Sequence, residues 1–212
     1  MAQGQIDLMD LFSQVGKTMK QNKDTLNKAD DYNHDHGDHM VEIFEVITQA
    51  MKEKKNADPA DQLDYAADIL RKKANSGSGQ LYAEGFKKAA KRVSGKNIDA
   101  GAVMDILQTV LGAEKAETRP PVQGDLLTSV LGQLAGGGAS SSGSSQQGLD
   151  LGDLLGAGMD FMAARQSGKS DLEALTGALV SGTRMSESPH RAQSSQMVTN
   201  TLLKALSSMM NK

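Results

Sequence analysis

The sequence predicts an all-α fold of eight main helices. Two observations carry that reading. Apolar residues recur at threes and fours along nearly the whole chain, and no segment alternates in the two-residue period of a convincing strand. Glycine, proline and serine gather where the apolar stripe lapses, which is where helices end.

The first helix is read from Ile6, Met9, Phe12, Val15 and Met19, and the second from Met40, Ile43, Phe44, Ile47 and Met51. Asp58-Pro59 predicts the start of a third, since proline at the first helical position loses no hydrogen bond. Leu63, Ala66, Ile69 and Leu70 carry that helix onward. Leu81, Phe86, Ala89, Ala90 and Val93 mark a fourth, ending near Gly95; Ile98, Val103, Ile106, Val110 and Leu111 mark a fifth, ending near Gly112. After Pro120-Pro121 come a short sixth helix (Leu126, Leu127, Val130, Leu131) and a seventh (Leu151, Leu154, Leu155, Met159, Met162). Leu172, Leu175 and Leu179 suggest a short extra turn, and Met197, Val198, Leu202, Leu206 and Met209 the last helix.

Residues 135–148 are Ala, Gly, Ser and Gln, with no side chain able to anchor a core, so they read as a disordered tether. Residues 149–212 would bury too little area to be comfortably stable alone. One domain over residues 1–212 is therefore expected, with the tether as a surface loop. Aromatic residues are 3% of the chain and cysteine is absent. Leu, Ile, Val, Ala and twelve Met must then build the core, and moderate stability is expected because methionine fills space without specifying a tight fit.

The formal net charge of -3, with Lys and Arg mixed among Asp and Glu, gives no basic footprint for nucleic acid and no polybasic membrane patch. No apolar run approaches the ~18 residues of a membrane span, and no signal peptide is visible at the N-terminus. The absence of disulfides and thiolate sites suits a reducing cytoplasm.

Chemistry concentrates in Asp30–His39, which holds three of the four histidines and four acidic residues in ten positions. Asp31, Asn33, Asp35 and Glu42 imitate the spacing of a calcium loop, but His36 stands where that loop needs glycine. His34, His36 and His39 could bind zinc. The plain alternative is a solvated segment in which Asp38 caps the following helix. A second feature is Ala74–Tyr82, where a Ser/Gly turn runs directly into a helix. Exposed N–H groups at such a start favour an anion. An acidic loop for Mg²⁺ and a glycine turn for phosphate together suggest a nucleotide.

With Asp35-His36-Gly37 followed by Met40, and Ser76-Gly77 before Leu81-Tyr82, the chain resembles the nucleotide-binding L domain of the dihydroxyacetone kinases. That family shows a GDxDHGxNM loop and a GGxSGPLYG turn. Gly124-Asp125 is similar to its PGDKTM segment, and Gly182-Thr183-Arg184 with Ser188-Pro189-His190 to its GER…DPGA stretch. The resemblance implies an antiparallel eight-helix barrel or bundle, with Mg²⁺ and ADP or ATP at one end. It places Asp30 (with Asp31 as the alternative), Asn33 and Asp35 at metal-ligand positions. His36, Gly37, Asp38, His39, Ser76, Gly77 and Ser78 would contact nucleotide, Arg184 phosphate, and His190 the base or ribose. All four histidines should share the end that holds Ser76 and Gly77. No catalytic residue is assigned.

The resemblance also implies a glycerone kinase-like phosphotransfer function needing a separate substrate-carrying subunit. The alternative is a degenerate relative that acts as a non-enzymatic binding or regulatory protein. Departures from the pattern motivate that alternative: Asn33 replaces an acidic ligand, the Asp30–Asn33 stretch is shorter, Leu126 replaces a lysine, and no Asp precedes Pro189.

Overall fold

A computed structural model describes residues 6–112, 176–177, 180 and 183–210. Those residues form six α-helices and no strand: α1 (Leu8–Lys28), α2 (His36–Glu53), α3 (Pro59–Lys73), α4 (Gly77–Val93), α5 (Ala100–Val110) and α6 (Pro189–Met210), with a 3-10 turn at Arg184–Ser186. The expected helices around Leu126–Leu131 and Leu151–Met162 lie outside the described residues, as does the tether at 135–148. Of the short extra turn, Thr176 and Gly177 are described and are helical.

Local chemistry sets the helix starts. Asp7 accepts from the Met9 amide at 2.8 Å, and Asp99 from the Ala102 amide at 2.8 Å. α3 begins on Pro59, as the Asp-Pro signal requires. α6 begins two turns before Met197, the point where its apolar stripe starts. Its first turns carry His190, Arg191, Ser194 and Ser195 instead, and both serines are buried. A polar residue turned inward is invisible to a search for apolar periodicity.

Short connections make α1 to α4 run up and down in turn. α1 packs on α2 and α6, α3 on α2 and α4, and α4 on α5. Thr201 donates to Thr18, and Ser194 lies against His36 at the start of α2, so α6 runs in the same direction as α2 and antiparallel to α1, on which it packs. The core holds the expected Leu, Ile, Val and Ala, with Met19, Met40 and Met51 fully buried. At its centre the few aromatic residues meet: Phe12 with Phe86 at 5.1 Å and Phe44 edge-on to Tyr82 at 5.3 Å between ring centroids. Gly85 lets α4 come close to α5, since a Cβ there would lie 2.6 Å from the Val110 Cα.

The consequence for function is polarity. The N-termini of α2, α4 and α6 all fall at one end of this bundle. At the opposite end the Ile6 amide bonds the Ile98 carbonyl at 2.9 Å.

Candidate functional site

The α1–α2 connection is built on two side chains. Asp30 is 3% exposed and turned inward, and its Oδ1 accepts from the Tyr32 amide at 3.2 Å. Burial works against its charge. The Tyr32 amide, nearby His190, and the amides of His36 and Asp35 outweigh that and hold the carboxyl below its ordinary range. The second side chain is Asn27 of α1. Its Oδ1 accepts from the amides of Gly37 (2.6 Å) and Asp38 (3.2 Å), and its Nδ2 donates to Asp38 Oδ2 at 2.8 Å.

Asn27 thus caps α2 from a neighbouring helix, which corrects the reading of Asp38 as the cap. Asp35 holds the N-cap position without a side-chain bond. Asp38 sits in the first turn, where Asn27 and then Lys23, at 3.1 Å, hold its carboxylate below the ordinary range. Replacing Asn27 by Ala is expected to destabilise the fold by about 1–2 kcal/mol in urea unfolding, the usual loss on deleting a cap. An unchanged midpoint would mean that Asp30 holds the loop without it.

Two residues of this connection and two from the start of α6 meet here. His36 is 4% exposed; its Nε2 lies 2.9 Å from Ser194 Oγ, and its ring packs on His190 at 4.7 Å between centroids. His190 Nδ1 is 3.7 Å from Asp30 Oδ1. Burial first, then the neighbouring His190 and Arg191, pull His36 down to about 4 against the opposing Asp30. At neutral pH it is uncharged. Ser194 Oγ spends its proton on the Arg191 carbonyl at 3.0 Å, so it accepts from His36. The His36 proton is therefore assigned to Nε2.

The second turn behaves as its composition suggests. Ser76 caps α4, its Oγ accepting from the Gly79 amide at 3.1 Å. The Gly77 and Ser78 amides, in the first turn, have no protein acceptor among the described residues. Above them lies Arg191: a Cβ on Gly77 would stand 3.0 Å from its Nη2. The expected shared end is therefore observed. His34, His36 and His39 flank the α2 start, and His190 joins them next to the residue that covers Gly77.

Arg184 is not drawn in with them. Its Nη1 is 3.4 Å from Glu84 Oε2, and its stem rests against Gly112 at the end of α5, two turns along α4 from Ser76–Ser78. Arg191, and not Arg184, is the cation beside the start of α4. Sequence reasoning passed over it, although the Pro-His-Arg start of α6 was a usable signal.

The three metal-ligand positions have different surroundings. Asp30 faces inward onto amides, Asn33 is exposed, and Asp35 lies 3.3 Å from His39 Nε2. No group of three or more His, Asp or Glu among the described residues could hold a metal ion. Magnesium asks for several hard oxygen donors in near-octahedral array. As placed in this structure, Asp30, Asn33 and Asp35 do not fit a binuclear centre. Asp35 is the partly exposed carboxylate of the set. No described helix is long and apolar enough to cross a membrane.

A family model described as the DAK2 domain matches residues 34–147. That span includes the start of α2 and the Ser76–Ser78 turn, while Asp30, Asn33, Arg184 and His190 fall outside it. No curated protein and no solved structure matches the chain. The helical architecture, the two motif turns and a match over more than half of the length agree, and the chain belongs to the DAK2 domain family of the dihydroxyacetone kinases.

Proposed function

We propose that this domain binds ADP or ATP with Mg²⁺ and serves a dihydroxyacetone kinase-like phosphotransfer system, with the acceptor carried by a separate subunit. The observation that carries the reading is the convergence of helix N-termini at one end, with the Arg191 guanidinium over the first turn of α4. Helix starts carry a partial positive charge and unpaired N–H groups, so they favour phosphate. Ser76, Gly77 and Ser78 would receive the phosphates on backbone amides. In this reading His36 and His190 would adjoin the nucleotide, with His39, Gly37 and Asp38 beside them.

Magnesium bound with the nucleotide would neutralise phosphate charge, and Asp35 is the residue available to face it. Phosphoryl transfer asks the protein mainly for position and charge, and the residues here can offer both. Isothermal titration of the folded protein with ADP in excess Mg²⁺ tests the reading. Saturable heat is expected, and a folded sample giving none would sink it.

A second reading, a binding or regulatory protein without catalysis, has its own support. Asp30 is occupied by backbone amides and Asn33 carries no charge. ADP binding together with intact ATP, when dihydroxyacetone and a substrate subunit are supplied, would select it.

A further inference from the structure

A serine, a histidine and a carboxylate stand in line where α6 begins. Ser188 is the last residue before Pro189 opens that helix, and it is partly exposed. A serine in this position ordinarily turns its hydroxyl to the amides of the first turn. Among the described residues Ser188 makes no such bond, and its Oγ lies 3.2 Å from Nε2 of His190 instead. On the other side of the ring, Nδ1 is 3.7 Å from Oδ1 of the buried Asp30.

The protons along this line follow from the partners. Asp30 is ionised at neutral pH, its carboxyl being held below the ordinary range. A carboxylate only accepts, so it favours the His190 proton on Nδ1. Nε2 then carries the lone pair and accepts from the Ser188 hydroxyl. The ring is held by a further neighbour: His36 packs on it at 4.7 Å between centroids, and Ser194 fixes His36 at 2.9 Å. Nucleophile, base and orienting carboxylate therefore follow in the order that activates a serine. The 3.7 Å step is long for a hydrogen bond, but such contacts tighten in the transition state, when the imidazole becomes charged. Pro189 has no N–H, so the His190 and Arg191 amides are the donors that this helix start can offer an oxyanion.

We propose that Ser188 is an acyl-accepting nucleophile, with His190 as its general base and Asp30 as the residue that positions His190. The substrate class is a carboxylic ester with a good leaving group, because the donors to an oxyanion are few. Ser188 Oγ attacks the carbonyl carbon as its proton passes to His190 Nε2. The ester C–O bond breaks, His190 returns the proton to the departing alcohol, and the acyl group stays on Ser188. Water then attacks the acyl carbon, His190 takes its proton and passes it to Ser188 Oγ, and the carboxylic acid leaves. Water is the only co-reactant, and nothing is oxidised or reduced. This activity goes beyond nucleotide binding and does not depend on it.

A fluorophosphonate probe tests the nucleophile on the full chain, without nucleotide. Serines that are not activated leave the probe unreacted, whereas an activated one forms an Oγ–P bond as fluoride leaves. Peptide mass spectrometry is expected to place the adduct on Ser188. No adduct, or an adduct confined to other residues, overturns the proposal. This arm needs no variant, so it decides even where a substitution unfolds the chain. Hydrolysis of p-nitrophenyl acetate follows turnover. Ser188→Ala should abolish the turnover due to this site, and His190→Gln should lower kcat/KM by about 100-fold, as for loss of a general base. Unchanged turnover in either folded variant overturns the proposal as well. Asp30 has its own readout in the ring-nitrogen chemical shifts of His190. The full chain should carry the proton on Nδ1, and Asp30→Asn should move it towards Nε2. A proton on Nε2 in the full chain, or one that Asp30→Asn leaves unmoved, overturns the positioning role.

Discussion

Gly37→Ala is expected to lower stability by on the order of 3–4 kcal/mol, combining overpacking with the loss of a cap. At an exposed helical position the same change would stabilise by roughly 1 kcal/mol, because alanine has the better helix propensity. The sign reverses here for a packing reason. Gly37 lies in the first turn of α2, and a Cβ on it would run into the Lys23 carbonyl of α1 and come within 2.7 Å of Asn27 Oδ1. α1 and α2 would have to separate, and the Asn27 bonds to the Gly37 and Asp38 amides would go with them. A drop in melting temperature of roughly 10 °C is expected for a chain of this size, read by circular dichroism. A midpoint at or above that of the unaltered chain would show that the two helices are not held as closely as described.

Stability is expected to fall by about 2 kcal/mol between pH 7 and pH 5, through His36 alone. Its imidazole is pulled to about 4 by burial, and further by His190 and Arg191, against an ordinary 6.5. The folded protein therefore prefers the neutral ring. This contribution is complete above pH 6.5 and is lost as pH falls towards 4, where the ring must charge inside the protein or the fold must open. Asp30 acts in the same direction but below its ordinary 3.8, so the two windows are separate. Urea unfolding at both pH values reads the difference. His36→Gln keeps an N–H for Ser194 and does not titrate, so its loss over the same interval should be much smaller. An equal loss in that variant would assign the pH response elsewhere.

Both expectations depend on residues that the sequence marked out, but for reasons that it did not contain. Asp30–His39 was legible as a ligand-rich run, and the Ser/Gly start of α4 was legible as an anion-binding turn. The helical stripes, the Pro59 start and the glycine stops at Gly95 and Gly112 were legible too. Gly95 and Gly112 do adopt left-handed φ angles of 72° and 78°. All of these are local signals, written within a few residues of where they act.

Asn27, Arg191 and the partners of Asp30 were not legible. Asn27 looks like one polar residue near the end of a helix, yet it closes the start of the next one from across a packed interface. Arg184 carried the better motif position and turned out to pair with Glu84. Arg191 acquired its place from where α6 begins, and that start was hidden by buried serines where apolar residues were sought.

The sequence by itself determined an all-α chain, most of the described helix boundaries, and the two turns that point to the DAK2 family. Hydrophobic period, capping residues and glycine placement are read over one or two turns, so they survive translation from sequence to fold. Tertiary structure alone decided how the ligand-rich run is used. Packing α6 on α1 brings its start to the start of α2, puts His36, His190 and Asp30 into one cluster, and leaves Arg191 over α4. Charge balance in that cluster is a sum over groups up to 160 positions apart in the chain, such as Asp30 and His190, and no local pattern encodes it.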